Sequence, residues 1–382
     1  MPIQSEKFPV EKYPQFNQRD TTFCKAYQGD YGEEIKKIWA MDYSKDPLMS
    51  SLFGYNDMSN CLSWYLAQAT DGPVRRELRS SNPNPHEFTR IVKKMAKYFG
   101  AAKVGICELQ PYHIYSHKAQ KVDMLEGNWG NPVYLEHRYA ISMVFPLDHK
   151  MMSASPSFVD EAEIGWAYHK AAVLCCELAA FIRESGYSAS GHHHRRDYVI
   201  HVPIAIDAGL GQLGRNGYLL TPEWGPCCRI TTVTTEMPLI PDKPVDYGMD
   251  YFCKICKKCA HNCPSRAVPQ GDKEEVRGFV KYHIDPDKCF KFWLSKPDRW
   301  FGCAICMKTC PWNRKNTWYH QLSVKMAAKS KLFCHLLLLA DDLIRGKHPK
   351  FKYDWIDYKI LDRDVAAINA QGGSKDAVSK VS

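Results

Sequence analysis

Four cysteines and a proline crowd the stretch "FCKICKKCAHNCP" at residues 252–264. Cys253, Cys256, Cys259 and Cys263 carry the spacing C-x2-C-x2-C-x3-C-P, with Pro264 behind the fourth thiol. Thiols so placed can close disulfides, grip zinc or hold an iron–sulfur cluster. The x3-C-P tail favours the last, and in such runs the fourth cysteine ligates a second cluster, so a partner motif is required. The partner is present as Cys289, Cys303, Cys306 and Cys310, followed by Pro311, and its leading cysteine is displaced by the insertion "FKFWLSKPDRWFG". Crossing the ligands assigns Cys253, Cys256, Cys259 and Cys310 to one [4Fe–4S] cluster. Cys263, Cys289, Cys303 and Cys306 then hold the other. Structural zinc pairs two C-x2-C knuckles and needs no such tail.

The chain has 382 residues and 16 cysteines, eight of them between 253 and 310. That is too sparse for a small disulfide scaffold, and the cysteines outside the two motifs read as buried thiols. An excess of nine positive charges is scattered along the chain, which suits a solvated surface better than nucleic-acid binding. Lys254, Lys257 and Lys258 lie between the first cysteines. They read as a landing surface for an acidic electron donor, or equally as an ordinary solvated loop. No apolar run is long enough to span a bilayer, and no export leader is visible.

Further elements must position these thiols. Residues 1–83 read as a loop-rich arm or subdomain. Asn84 is a suitable N-cap, Pro85 a suitable first helical residue, and the apolar stripe Phe88, Ile91, Val92, Met95, Phe99 predicts a helix ending at Gly100. "KVGICEL" (103–109), "YAISMVFPL" (139–147) and "RITTVTTEMPL" (from 229) predict strands. Ser157 with Asp160 predicts a capping box that opens a helix reaching Gly186. Strands alternating with helices imply an α/β core over 84–245. The cysteine module follows over 246–315, and a C-terminal extension over 316–382 is expected to pack on the core.

The stretches "IAIDAGLGQLGRNGYLLTPEWGPCCRITTVTTEMPL", "IPDKPVDYGMDYFCKICKKCAHNCPSRAV" and "RWFGCAICMKTCPWNRKNTWYH" resemble the corrinoid-dependent reductive dehalogenases. The likeness covers roughly residues 84–345, and more faintly "FNQRDTTF" near the start. It implies an α+β fold: a nitroreductase-like α/β cobalamin-binding core beside a bacterial two-[4Fe–4S] ferredoxin-like module. It implies base-off cobalamin as a further cofactor, in keeping with the absence of a D-x-H-x-x-G motif. It places the catalytic tyrosine on Tyr168 and its basic partner on Arg229. A guanidinium beside a phenol, whose free pKa is about 10, lowers that pKa and stabilises the tyrosinate left after proton donation. From residue pattern alone Tyr168 would be a core tyrosine on an amphipathic helix. The resemblance further places His194, Trp293 and Phe23 in the substrate pocket, and Gly209, Leu210, Gly211 and Gln212 of "AGLGQ" at the cobalamin. His194 departs from an asparagine in the family and is open to reading as a second proton donor, an anion contact or a loop residue. Cys227 and Cys228 in "GPCCRI" find no explanation.

Reductive removal of halide from a small organohalide is therefore the expected activity. The expected partner is an external low-potential electron donor, either ferredoxin or flavodoxin or a membrane quinol chain, with a small membrane anchor protein as a further candidate. Without a leader the expected location is cytoplasmic; the alternative is the outer face of the cytoplasmic membrane with the leader removed. Two rival functions remain. One is an epoxyqueuosine reductase-like enzyme of tRNA modification with the same cofactors, although its "YHGEMDYM"-type signature is absent. The other is a ferredoxin-type electron carrier.

Overall fold

The computed structural model describes residues 15–32, 62–294, 302–314 and 316–347. Cys61 and most of the aromatic stretch around it, the second half of the cysteine insertion and the tail beyond 347 lie outside the described residues. Eight strands are present among the described residues: β1 (Lys103–Glu108), β2 (Tyr139–Pro146), β3 (Ala189–His192), β4 (Gln212–Leu213), β5 (Leu219–Leu220), β6 (Cys228–Thr235), β7 (Glu274–Val276) and β8 (Phe279–Lys281). The main sheet has the order β1-β2-β6-β3, and every pairing in it is antiparallel. Alternation of strand and helix along the chain leaves the sense of the strands open. Helices separate the strands along the chain, yet they return it so that spatial neighbours run in opposite senses. The architecture is α+β rather than a parallel α/β sheet.

Strand β2 shows how the sheet fills both faces. Its Ile141 and Met143 enter the core beneath the helix Phe158–Glu184, with Leu174, Leu178, Ile182 and, from the helix Pro85–Tyr98, Val92. The alternate residues Ala140 and Val144 enter a second core with Ile204 and Ala205 of the helix His201–Asp207. A period of two on a strand buried on both sides produces this division. Both helices start where local chemistry indicates. The Asn84 side chain accepts hydrogen bonds from the His86 and Glu87 amides, and Ser157 and Asp160 form the reciprocal capping box. Leu178 is fully buried at the centre of the first core. Leu178→Ala is expected to cost about 2–5 kcal/mol, read as a lowered thermal midpoint.

The chain near the start ties the core to the cysteine module. Gln18 donates from its side chain to the Asp197 carbonyl at 2.6 Å, and the Cys24 thiol donates to the Ala119 carbonyl at 2.8 Å. From the same stretch Lys25 reaches Asp287 at 3.2 Å, and the Tyr31 hydroxyl donates to the same carboxylate. The helix Thr22–Gln28 consequently lies against the helix Pro286–Leu294 of the second cysteine motif.

The two C-terminal helices, Trp318–Lys329 and Lys331–Arg345, pack on each other and on Met249–Cys256, the helix that carries the first two cysteines. The expected packing on the core is corrected to this extent: the described part of the extension covers the cysteine module. Its recorded bonds to the core run from His320 and Gln321 to the Pro222 carbonyl, at 3.0 and 3.5 Å. The buried residues Val324, Ala327 and Cys334 explain the choice, because they join the apolar cluster of Met249, Phe252 and Trp312. Among the described residues no helix is long and apolar enough to cross a membrane.

Candidate active site and iron–sulfur module

The cysteine thiols gather into two sets. Burial raises the Cys310 thiol well above its ordinary value, and Cys253, Cys259 and Cys256 raise it further. Burial likewise raises Cys306, with Cys303, Cys289 and Cys263 as its strongest neighbours. Those groupings match the crossed ligand sets, so the fourth cysteine of each motif sits with the other motif's first three. No group of three or more His, Cys, Asp or Glu among the described residues closes on a single ion. Thiols are far poorer as buried charges than as ligands, and iron neutralises the anion that burial opposes.

A loop missed by sequence reasoning holds both motifs. Arg215 is buried; its Nε donates to the Cys253 carbonyl at 3.1 Å and its Nη1 to the Pro269 and Gly271 carbonyls at 2.9 and 2.7 Å. Its neighbour Asn216 donates to the Cys306 carbonyl at 3.3 Å. Adjacent residues of the core thus grasp one backbone group from each cysteine set. The signal was a buried arginine inside a glycine-flanked turn, "LGRNG", where an arginine has no other reason to be.

The preceding "AGLGQ" segment is explained by packing. Gly209 has φ +73°, and a Cβ there would stand 2.4 Å from the Lys243 carbonyl oxygen; one on Gly211 would stand 2.2 Å from that of Leu220. Leu210 is buried in the second core. The Gln212 side-chain oxygen accepts from the Tyr247 and Met249 amides at 2.8 and 3.1 Å. None of the four borders the cavity that Leu213 lines. The two glycines permit close backbone approach here.

That cavity, about 380 Å³, is bordered by Phe23, Tyr218, Phe290 and Trp293 together with Cys289 and Cys306 of the second cluster set. Phe23 meets Phe290 edge to face with centroids 5.3 Å apart, and Trp293 lies 6.4 Å from Phe23. Burial raises the Cys289 thiol to about 11, and the Trp293 indole N–H opposes that rise. Phe23 and Trp293 thus come from distant parts of the chain to one wall.

Tyr168, Arg229 and His194 form the other group. The His194 and Tyr168 rings lie 4.3 Å apart at 31°, and the Arg229 guanidinium lies 5.4 Å from the Tyr168 centroid. Burial depresses His194 far below the usual imidazole range, with Arg195, His193 and Arg229 adding to it, so the ring is neutral. Both of its nitrogens, and Nε of Arg229, are buried without hydrogen-bond partners. Burial acts against the Arg229 charge, but Tyr168, Tyr218, Cys228 and Glu161 outweigh it and hold the guanidinium protonated. None of the three lines the cavity of Phe23 and Trp293. Tyr218 connects the groups: it borders that cavity, and its hydroxyl, raised chiefly by burial, also feels Cys306, Arg229, Cys289 and Tyr168.

Glu161 is a further residue that sequence reasoning missed. Burial and Asp160 raise its carboxyl to about 8 while Arg229 opposes them. A Cβ on Gly302, beside Cys303, would come 2.0 Å from its Oε1. The spacing from Glu161 to Tyr168 puts both on one helix face, which is the signal that could have found it. Cys227 and Cys228 are buried, in the clusters of Phe145 and Ala140 respectively, so packing accounts for them.

Comparison with known proteins places these features. Residues 252–313 match the family model of a 4Fe-4S double cluster binding domain. The tetrachloroethene reductive dehalogenase of Desulfitobacterium hafniense is 30% identical over 280 residues, covering 62% of this chain and 50% of that one. The solved structure of a reductive dehalogenase, which suggests a mechanism for B12-dependent dehalogenation, superposes with a TM-score of 0.77 at 26% identity, over 88% of this chain and 47% of that one. The chain is thus similar to reductive dehalogenases. Its matched double-cluster domain binds two [4Fe–4S] clusters. The chain spans about half the length of these dehalogenases. An epoxyqueuosine reductase of Cyclobacterium marinum is also similar, 32% identical over 266 residues, covering 60% of this chain and 80% of that protein.

Proposed function

We propose that this protein is a cobalamin-dependent reductive dehalogenase in which Tyr168 donates the proton that replaces the halide. The observation that carries the reading is the grouping of a tyrosine, a protonated arginine and a neutral histidine one residue, Tyr218, away from a cavity bordered by cluster thiols. The residues fit a redox cofactor in that region. The walls are aromatic, two cluster ligands border them, and unpartnered donors on His194 and Arg229 are buried nearby. Bound cobalamin would supply low-valent cobalt able to deliver electrons to a carbon–halogen bond.

The chain's own residues then have defined tasks. The Tyr168 hydroxyl gives its proton to the carbon that loses halide, and Arg229 stabilises the tyrosinate left behind. Neutral His194 can donate from one nitrogen and accept at the other, which suits it to hold the Tyr168 hydroxyl in orientation. Phe23, Phe290 and Trp293 give the adjoining cavity an aromatic wall for the organic part of the substrate. The substrate is a small organohalide, and a low-potential one-electron donor loads the clusters.

The test is anaerobic reconstitution with iron, sulfide and cobalamin, followed by halide release from halogenated phenols and alkenes with reduced viologen. Retained corrinoid and released halide are expected; corrinoid-free protein with intact clusters would reject the reading. One finding favours a second reading, reduction of an epoxide on a modified tRNA base: the match that covers 80% of an epoxyqueuosine reductase. Corrinoid retention without halide release, accompanied by turnover of epoxyqueuosine tRNA, would establish that reading instead.

A further inference from the structure

Lys258 lies between the cluster ligands Cys256 and Cys259, where a surface lysine would greet an electron donor. It does not reach the surface: it is 2% exposed. Its ammonium contacts both carboxylates of the helix Lys331–Arg345, Asp341 and, at 2.7 Å, Asp342, and donates to the Gly346 carbonyl at 3.1 Å. Asp341 is bound on its other side by Arg314, and Arg345 lies 3.9 Å away. Asn262 donates to the carbonyls of Lys258 and Lys347 at 2.9 and 3.0 Å, which fastens the same turn to the same helix end. A buried ammonium and its carboxylates are therefore fixed beside the first cluster set.

Both signs of charge stand against the first motif. Lys258 is two residues from Cys256 and next to Cys259, and the helix Lys331–Arg345 that carries Asp341 and Asp342 packs on the helix Met249–Cys256. A thiolate ligand passes such influence to its cluster, since charge and hydrogen bonding near the sulfurs are what set a cluster's potential. Burial strengthens the effect, because few water dipoles intervene. Adding an electron makes the cluster more negative, so an added nearby cation favours reduction and an added anion opposes it.

We propose that the Lys258–Asp341–Asp342 group is a charge device by which the C-terminal helix sets the reduction potential of the cluster on Cys253, Cys256, Cys259 and Cys310. These are positioning residues and touch no substrate. The consequence is selection of the donor: the potential fixed there decides which carriers can load the chain with electrons. This inference rests on the double-cluster module alone and does not depend on which substrate is reduced.

The two charges can be removed separately, and their signs differ. Lys258→Met keeps the bulk of the side chain and leaves the carboxylates in excess, so the first cluster should become harder to reduce. Asp341→Asn removes an anion and should make it easier to reduce. The double variant Lys258→Met with Asp341→Asn should return close to the wild-type value. Each single shift is expected to reach about tenfold in the reduction equilibrium, about 59 mV for a one-electron couple.

The measurement is a potentiometric titration of the full, cluster-loaded chain followed by electron paramagnetic resonance, with the second cluster as internal reference. A purely mechanical latch predicts something else: both single variants would loosen the same turn, shift the potential in one direction or lose the first cluster. Shifts of equal sign, or none, overturn the proposal. Should either variant lose iron, the more exposed Asp342→Asn and the charge-preserving Lys258→Arg replace them. The first must then make the cluster easier to reduce and the second leave it unchanged.

Discussion

Tyr168→Phe is expected to retain both clusters and corrinoid while losing about 10²- to 10⁴-fold in turnover, the usual worth of a positioned proton donor. The substitution removes one oxygen from a helix whose packing face it leaves alone. The ring remains available to His194, whose ring lies 4.3 Å away, and to Arg229. A fold explanation for any loss can therefore be checked by iron content and by the corrinoid spectrum, both of which should be unchanged. Arg229 supplies the comparison. Arg229→Met should cost nearly as much, because without the guanidinium the tyrosinate left by proton donation has no counter-charge beside it. Arg229→Lys should recover only part, since a point charge does not reproduce the guanidinium plane. Wild-type turnover in Tyr168→Phe would falsify its role as donor and move attention to Tyr218, which borders the cavity itself.

The second large effect concerns Cys263. By chain position it belongs to the first motif, but the crossed pairing gives it to the cluster of Cys289, Cys303 and Cys306. Cys263→Ala should lower iron from about eight to about four atoms per chain and abolish turnover, because the cluster beside the cavity is the one removed. Pairs of substitutions separate this from local pairing. Cys253→Ala with Cys310→Ala strikes one cluster twice and should leave about four irons. Cys253→Ala with Cys263→Ala strikes both and should leave almost none. If the two pairs gave the reverse, each motif would be closing its own cluster.

What was legible in the sequence was what is local. Ligand spacing identifies a double-cluster module because three ligands of one cluster lie within a single short run, Cys253 to Cys259, and the x3-C-P tail announces the crossed fourth. The Asn84 cap and the Ser157–Asp160 box were legible for the same reason: each is closed within one helical turn. Strand pairing was not, because the antiparallel order β1-β2-β6-β3 joins residues far apart in sequence. Alternation of strand and helix is compatible with either sense.

Lys258 shows the same limit in a side chain. Three lysines in one loop look alike until the helix at 331–345 covers one of them. The glycines of "AGLGQ" stand where the backbones of Lys243 and Leu220 pass close by, which the sequence does not show. At the candidate site, Tyr168, Arg229 and His194 came from a family likeness. Tyr218, which influences Arg229, needed the folded arrangement to be found, whereas Glu161 left a signal in its helix-face spacing from Tyr168.

Arg215 and Asn216 carry one more implication. Because two consecutive residues hold carbonyls of Cys253 and Cys306 through their side chains, both cysteine sets are tied to one turn of the core. A displacement of that turn would be passed to both sets at once.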